Sequence, residues 1–104
     1  MGFATDADRS DDLDTGYASA VISVSTAQVE AKVGASRLTY RQAVLLFNDG
    51  ISNVFFGPSG VAVSGTNKGV TIVPAQAMFL SIGGQALYLI SASTGTNVVV
   101  QELA

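Results

Sequence analysis

The stretch Leu45–Gly60 reads LLFNDGISNVFFGPSG. Two bulky apolar runs, Leu45–Phe47 and Val54–Phe56, stand on either side of Asn48-Asp49-Gly50, and the second run stops at Gly57-Pro58-Ser59-Gly60. Both runs are short and rich in β-branched and aromatic residues, and both end in residues that tolerate tight turns, so they read as strands. Asn, Asp and Gly accept positive φ, and Pro beside Gly fits a type I or II turn. The expectation is a hairpin, Ala43–Asn48 against Val54–Gly57, with turns that need no ligand to explain them.

Working outward, the same texture of Val, Ile, Thr, Ser, Ala and Gly fills the chain from Tyr17 on. Ala18–Ser25 carries Val21, Ile22 and Val24. In Ala27–Val33 the apolar Val29, Ala31 and Val33 alternate with the polar Gln28, Glu30 and Lys32, the period of a half-buried strand. Further strands are expected at Val61–Ser64, Gly69–Val73, Ala77–Ile82, Ala86–Ser91 and Val98–Glu102, the last two joined as a hairpin through Ser93–Asn97. Helix is disfavoured, with room for one helical turn at most in Arg37–Ala43. Turn residues recur every 8–12 positions or so, the spacing of an all-β fold. The expected fold is a compact antiparallel β-sandwich, jelly-roll-like or barrel-like, of about seven or eight strands over residues 17–104.

Residues 1–16 differ. Asp6, Asp8, Asp11, Asp12 and Asp14 stand against Arg9, a net −4 within residues 1–15. With one Leu to bury, this segment reads as a flexible acidic arm and a candidate docking element. Residues 16–104 carry Lys32, Arg37, Arg41 and Lys68 against Glu30, Asp49 and Glu102, a net +1. Charged residues make up only 12% of the chain, about half the usual share, while 48% are hydrophobic. No basic stripe is available for nucleic acid, and no apolar run approaches a membrane span. The acidic N-terminus does not fit a signal peptide, and Asp6 stands where an N-myristoylation signal wants Ser or Thr.

Several strands are apolar on both faces: Val44–Phe47, Val54–Phe56 and Val98–Val100. A strand with one wet face should alternate. Two apolar faces on a chain of 104 residues imply that another surface covers one of them. Val44, Leu46, Val54, Phe55, Phe56 and Val99 are the candidate subunit-interface residues on this reading.

Chemistry is sparse. The chain has no His and no Cys, which removes Ser-His-Asp and Cys-His catalysis, thiolate and imidazole zinc sites, and disulfides. Gly57-Pro58-Ser59-Gly60 lacks the residue that a G-x-S-x-G elbow places between Ser and the second Gly. In Ser64–Lys68 the lysine falls at i+4, where Ser-x-x-Lys needs i+3. No phosphate-binding glycine motif is present. Asp6-x-Asp8-x-Ser10 imitates the start of a calcium loop, but Asp11 stands at its glycine position and Tyr17 at its closing glutamate. Glu30, Asp49 and Glu102 are scattered through the chain, with nothing to pair two of them as acid and base. Tyr17, Tyr40, Tyr88 and the phenylalanines would suit a sugar-stacking surface, though such residues more often anchor cores and interfaces. No catalytic residue, metal or cofactor is assigned.

Two stretches carry a resemblance. VEAKVGASRLTYRQAVLLFNDGISNVFFGPSGV (Val29–Val61) and LYLISASTGTNVVVQELA (Leu87–Ala104) resemble a family of small tailed-bacteriophage virion proteins. The shared order is a Val-rich strand ending near Gly, an ASRL turn, an apolar strand into an Asn-rich turn, an aromatic strand ending in Gly, and two last strands around a Ser/Thr-Gly-Thr loop. The resemblance spans about three quarters of the chain. It implies a non-enzymatic structural protein of the virion that decorates or cements the capsid, with the major capsid protein or other virion proteins as partners. It equally implies a collar, tail or baseplate piece. Local threefold symmetry at capsid-surface sites suggests a homotrimer. A carbohydrate-binding module for host attachment is the reading from a different class.

Overall fold

A computed structural model describes residues 16–104 of the chain. The acidic arm, with Asp6, Asp8, Asp11, Asp12 and Asp14, lies outside the described residues, apart from Gly16 at its end. The described residues contain eight strands and no helix: β1 Tyr17–Val24, β2 Val29–Glu30, β3 Ala43–Asn48, β4 Val54–Gly57, β5 Val70–Ile72, β6 Ala77–Leu80, β7 Tyr88–Ser91 and β8 Thr96–Leu103. They form two four-stranded sheets, ordered β1-β8-β3-β6 and β2-β7-β4-β5, and every strand pairing is antiparallel.

Strands β3 and β4 have the bounds expected from the sequence, but they do not form a hairpin. β3 belongs to the first sheet and β4 to the second. The same holds for the pair expected around Ser93–Asn97, because β7 and β8 also lie in different sheets. Buried side chains hold both connections as corners between sheets. Asn48 is fully buried. Its Nδ2 donates to the carbonyls of Ser52 and Ile72, each at 2.8 Å, and its Oδ1 accepts from Gly50 N at 3.0 Å. Gly50 is required by crowding: a Cβ there would stand 2.6 Å from Thr96 Cγ2. At the second corner the Ser91 hydroxyl donates to Asn53 O at 3.0 Å and lies 3.2 Å from Thr96 Oγ1. Polar residues that read as hairpin turns are here buried crossings whose backbone groups find side-chain partners.

Three other segments differ from expectation. The alternating run Ala27–Val33 contributes only two residues of strand, because Ala31 and Val33 turn toward the Arg41–Glu102 pair described below. Val61–Ser64 is not a strand and holds a single bridge, Ala62 to Lys68. Arg37–Ala43 makes a turn closed by Arg41 N to Leu38 O at 3.0 Å, not a helical turn. The Gly57–Gly60 corner does turn as its composition suggests: Gly60 has φ +92 and Val61 N donates to Pro58 O at 3.0 Å.

One core lies between the sheets. The first sheet contributes Val24, Val44, Leu46, Val98 and Val100. The second contributes Val54, Ile72 and Leu89. All eight have no exposed surface. Burying side chains of this size stabilises by about 1.5–3 kcal/mol each. One end of the molecule is tied by an ion pair. Arg41 Nη1 lies 2.8 Å from Glu102 Oε2, and neither side chain reaches solvent. Arg41 also donates to the carbonyls of Ala31, Gly83 and Gln85. Glu102 accepts from Val33 N and Leu38 N. Every polar atom of the pair has work to do, as a buried charge requires.

Candidate functional site

The registers of the first sheet sort its residues by face. One face carries Ala18, Ala20, Ile22 and Val24 of β1; Val98, Val100 and Glu102 of β8; Val44, Leu46 and Asn48 of β3; and Met78 and Leu80 of β6. That face lies on the core. The other face is a lattice of rows running across the strands. Tyr17 stands beside Leu103 and Ala43. Ser19 stands beside Gln101, Leu45 and Phe79. Val21 stands beside Val99, Phe47 and Ala77, and Ser23 beside Asn97.

No charged residue occurs in these outward rows. Tyr17 is 50% exposed, Val21 59% and Phe79 60%, while Leu45, Phe47, Val99 and Leu103 are half-buried. The polar members, Ser19, Ser23, Asn97 and Gln101, are all neutral. Scattered exposed hydrophobes are ordinary on a protein surface, whereas a large, mainly apolar patch is the kind of surface that interaction sites use.

Of the six interface residues read from the sequence, Val44, Leu46 and Val54 have no exposed surface and belong to the chain's own core. That reading is corrected: a residue packed between the two sheets has no surface left for a partner. Phe56 also packs against the core. Phe55 points away from the core, yet it is only 8% exposed. Its neighbours across the strands are Ile90 and Thr71, and Lys68 Nζ sits 5.9 Å from its ring centre. Val99 alone lies on the outward face of the first sheet. Tyr17, Val21, Leu45, Phe47 and Phe79 also stand on that face, though none was among the six. The signal was present, since β3 is apolar at both parities, but parity alone does not say which face meets the core.

The described residues offer little acid–base machinery. Glu102 is committed to Arg41. Glu30 is held by Arg37 at 2.6 Å and Lys32 at 3.5 Å. Asp49 is exposed at the β3–β4 corner. No cluster of metal-binding side chains occurs among the described residues; the Asp6–Asp8 motif lies outside them. No buried side-chain polar atom among them lacks a hydrogen-bond partner. A cleft of about 390 Å³ opens beside Phe56, Asn67, Lys68, Val70, Ile82 and Gln85. Its lining holds one aromatic ring and no carboxylate, a poor match to the stacked rings and paired polar groups a sugar needs. Tyr17 and Phe79 stand on opposite edge strands of the first sheet and in different rows, more than about 14 Å apart at the usual strand spacing, too far to sandwich one sugar ring.

No helix among the described residues is long and apolar enough to cross a membrane. Comparison with family models, curated proteins and solved structures finds no match to this chain.

Proposed function

We propose that this chain is a non-enzymatic structural subunit of a tailed-bacteriophage particle, decorating or cementing the capsid surface through subunit contacts. The observation that carries the assembly role is the uncharged, apolar outward face of β1-β8-β3-β6. Such a face costs solubility unless it is covered, and the sequence has neither His nor Cys and only a few scattered carboxylates. The virion setting rests on the sequence resemblance in Val29–Val61 and Leu87–Ala104.

The fold reading that goes with this role is a jelly-roll sandwich. Its support is the strand order: first and last strands adjoin in one sheet, and of the connections between successive strands only β4–β5 stays within a sheet. Two sheets wound in this way are the double-sheet arrangement common in capsid proteins.

The test is to locate the chain in a density map of assembled particles and to measure the heat resistance of particles that lack it. Density on the capsid surface, with particles that burst at lower temperature when the chain is deleted, supports the cementing role. Density at the collar, tail or baseplate reassigns the chain within the virion. Particles that never contain it overturn the proposal.

A further inference from the structure

Among the described residues, the outer edge of β1 is the longest strand edge without a partner. β6, at the other side of the same sheet, has four residues and follows Pro74; β2 and β5, the edges of the second sheet, have two and three. β1 has eight, reading YASAVISV, without a charge or a proline. Natural edges are guarded by charge, proline, bulges or shortness. β1 has none of these, and among the described residues no strand pairs with its outer side.

Its hydrogen-bonding side follows from the register. Gly16 O accepts from Ala104 N at 2.8 Å, so in an antiparallel ladder the even-numbered residues aim their backbone groups at β8. The N–H and C=O groups of Tyr17, Ser19, Val21 and Ser23 therefore point outward from the edge. The side chains of those same four residues lie on the apolar outward face.

We propose that β1 pairs antiparallel with β1 of a second copy, across a twofold axis through Ala20. This rests on the reading of the chain as an assembly subunit and names how two subunits meet. In that register Tyr17 lies opposite Ser23 of the second copy and Ser19 opposite Val21, so all the outward backbone groups of the four residues are satisfied. Each bulky side chain faces a serine. On the other face Ile22 lies opposite Ala18, and Ala20 opposite itself, so large again meets small. A shift of one residue would set apolar outward positions against core-facing ones.

Charge favours the same occupant. Neither β1 nor the outward rows of its sheet carry an ionised side chain, so a second copy brings no like charge into the contact itself. A partner with a charged edge would bring an unpaired charge against Tyr17 and Val21. The pairing joins two sheets into one of eight strands with a continuous apolar face. The strand contact alone buries less than the roughly 800 Å² per partner of a stable complex, so the dimer dissociates on dilution. A twofold contact of this kind replaces the threefold one expected from capsid symmetry.

The chain lacks cysteine, which makes the test direct. Ala20 sits at the non-hydrogen-bonded position on the twofold, where Cα atoms stand about 4.5 Å apart, within disulfide range. Full-length Ala20→Cys should form a covalent dimer under mild oxidation, and Ser64→Cys, on an exposed loop, should not. Ser19→Pro removes an outward N–H without touching the β8 ladder, and Val21→Lys keeps the N–H but places a charge on the edge. In sedimentation equilibrium each should weaken the dimer about tenfold or more, Ser19→Pro through two lost edge hydrogen bonds and Val21→Lys through a charge set against the apolar edge of the second copy. A wild-type chain monomeric at millimolar concentration, a trimer, an unlinked Ala20→Cys, or a dimer indifferent to both edge variants overturns the proposal. Failures of the two readings are separable. Particles that contain the chain with its β1 edges apart remove only the edge contact, and a β1-paired dimer never found in particles removes only the virion role.

Discussion

Arg41 and Glu102 meet at 2.8 Å with neither side chain in contact with water. The Coulomb gain of such a pair roughly balances the cost of drying two charges, but removing one partner strands the other. Arg41→Ala leaves Glu102 with two backbone donors and no counter-charge. Glu102→Ala leaves the guanidinium among carbonyls and strands the N–H groups of Val33 and Leu38. Each single variant is expected to lower unfolding free energy by about 3–5 kcal/mol, read from urea midpoints. The double variant Arg41→Met, Glu102→Leu is expected to lose much less than the sum, because it leaves no stranded charge. A double variant as unstable as the sum would show that the backbone contacts, not the charges, hold this end together. In the sequence Arg41 and Glu102 are sixty-one positions apart and nothing about either marks it as buried. Only the topology, which lays β8 beside β3, makes them neighbours.

At the scale of elements, two substitutions on one sheet separate its faces. Leu46 and Phe79 belong to adjacent strands, β3 and β6, and Leu46 pairs with Met78, the residue before Phe79. Leu46 is sealed in the core and Phe79 is 60% exposed. Leu46→Ala is expected to cost about 2–5 kcal/mol of stability, whereas Phe79→Ser should stay within about 0.5 kcal/mol and, being on the edge opposite β1, leave β1-paired mass unchanged. Thermal melts beside light-scattering masses distinguish the two. Gly69 is a second element-level check. A Cβ there would lie 2.6 Å from Phe56 O, a backbone atom, and 2.6 Å from Val61 Cγ2. Gly69→Ala must push β4 from the chain entering β5, with an expected loss of about 1–3 kcal/mol by urea denaturation. Strand positions were largely legible, because turn residues and β-branched runs act locally; β3 and β4 fall at their expected bounds. Pairing was not legible. A hairpin and a crossing between sheets use the same turn residues, and what decides between them is which side chains fill the gap. Asn48 and Ser91 fill it with hydrogen bonds that sequence spacing does not reveal. The outward apolar rows were only partly legible for the same reason: a doubly apolar strand shows apolar side chains on both faces without saying which face the second sheet covers.

At the scale of the whole molecule, the distribution of charge sets how any contact between copies would respond to salt. Residues 16–104 carry seven ionised side chains. Arg41 and Glu102 are sealed inside, and Glu30, Lys32 and Arg37 form a cluster on the second sheet's side of the molecule. The outward face of the first sheet, with the outer edge of β1, carries none. Contacts made through that face should therefore depend weakly on ionic strength, since salt screens only interactions between charges. Sedimentation equilibrium of the full chain between about 50 and 500 mM sodium chloride is expected to show an association constant that is flat within about twofold, or slightly rising as the small net charge of −3 is screened. Sodium sulfate should strengthen association further, because excluded ions favour burial of apolar surface. A fall of about tenfold or more over the same range would place the contact on charged residues, moving it off the outward face and toward the acidic N-terminal segment or the Glu30 cluster.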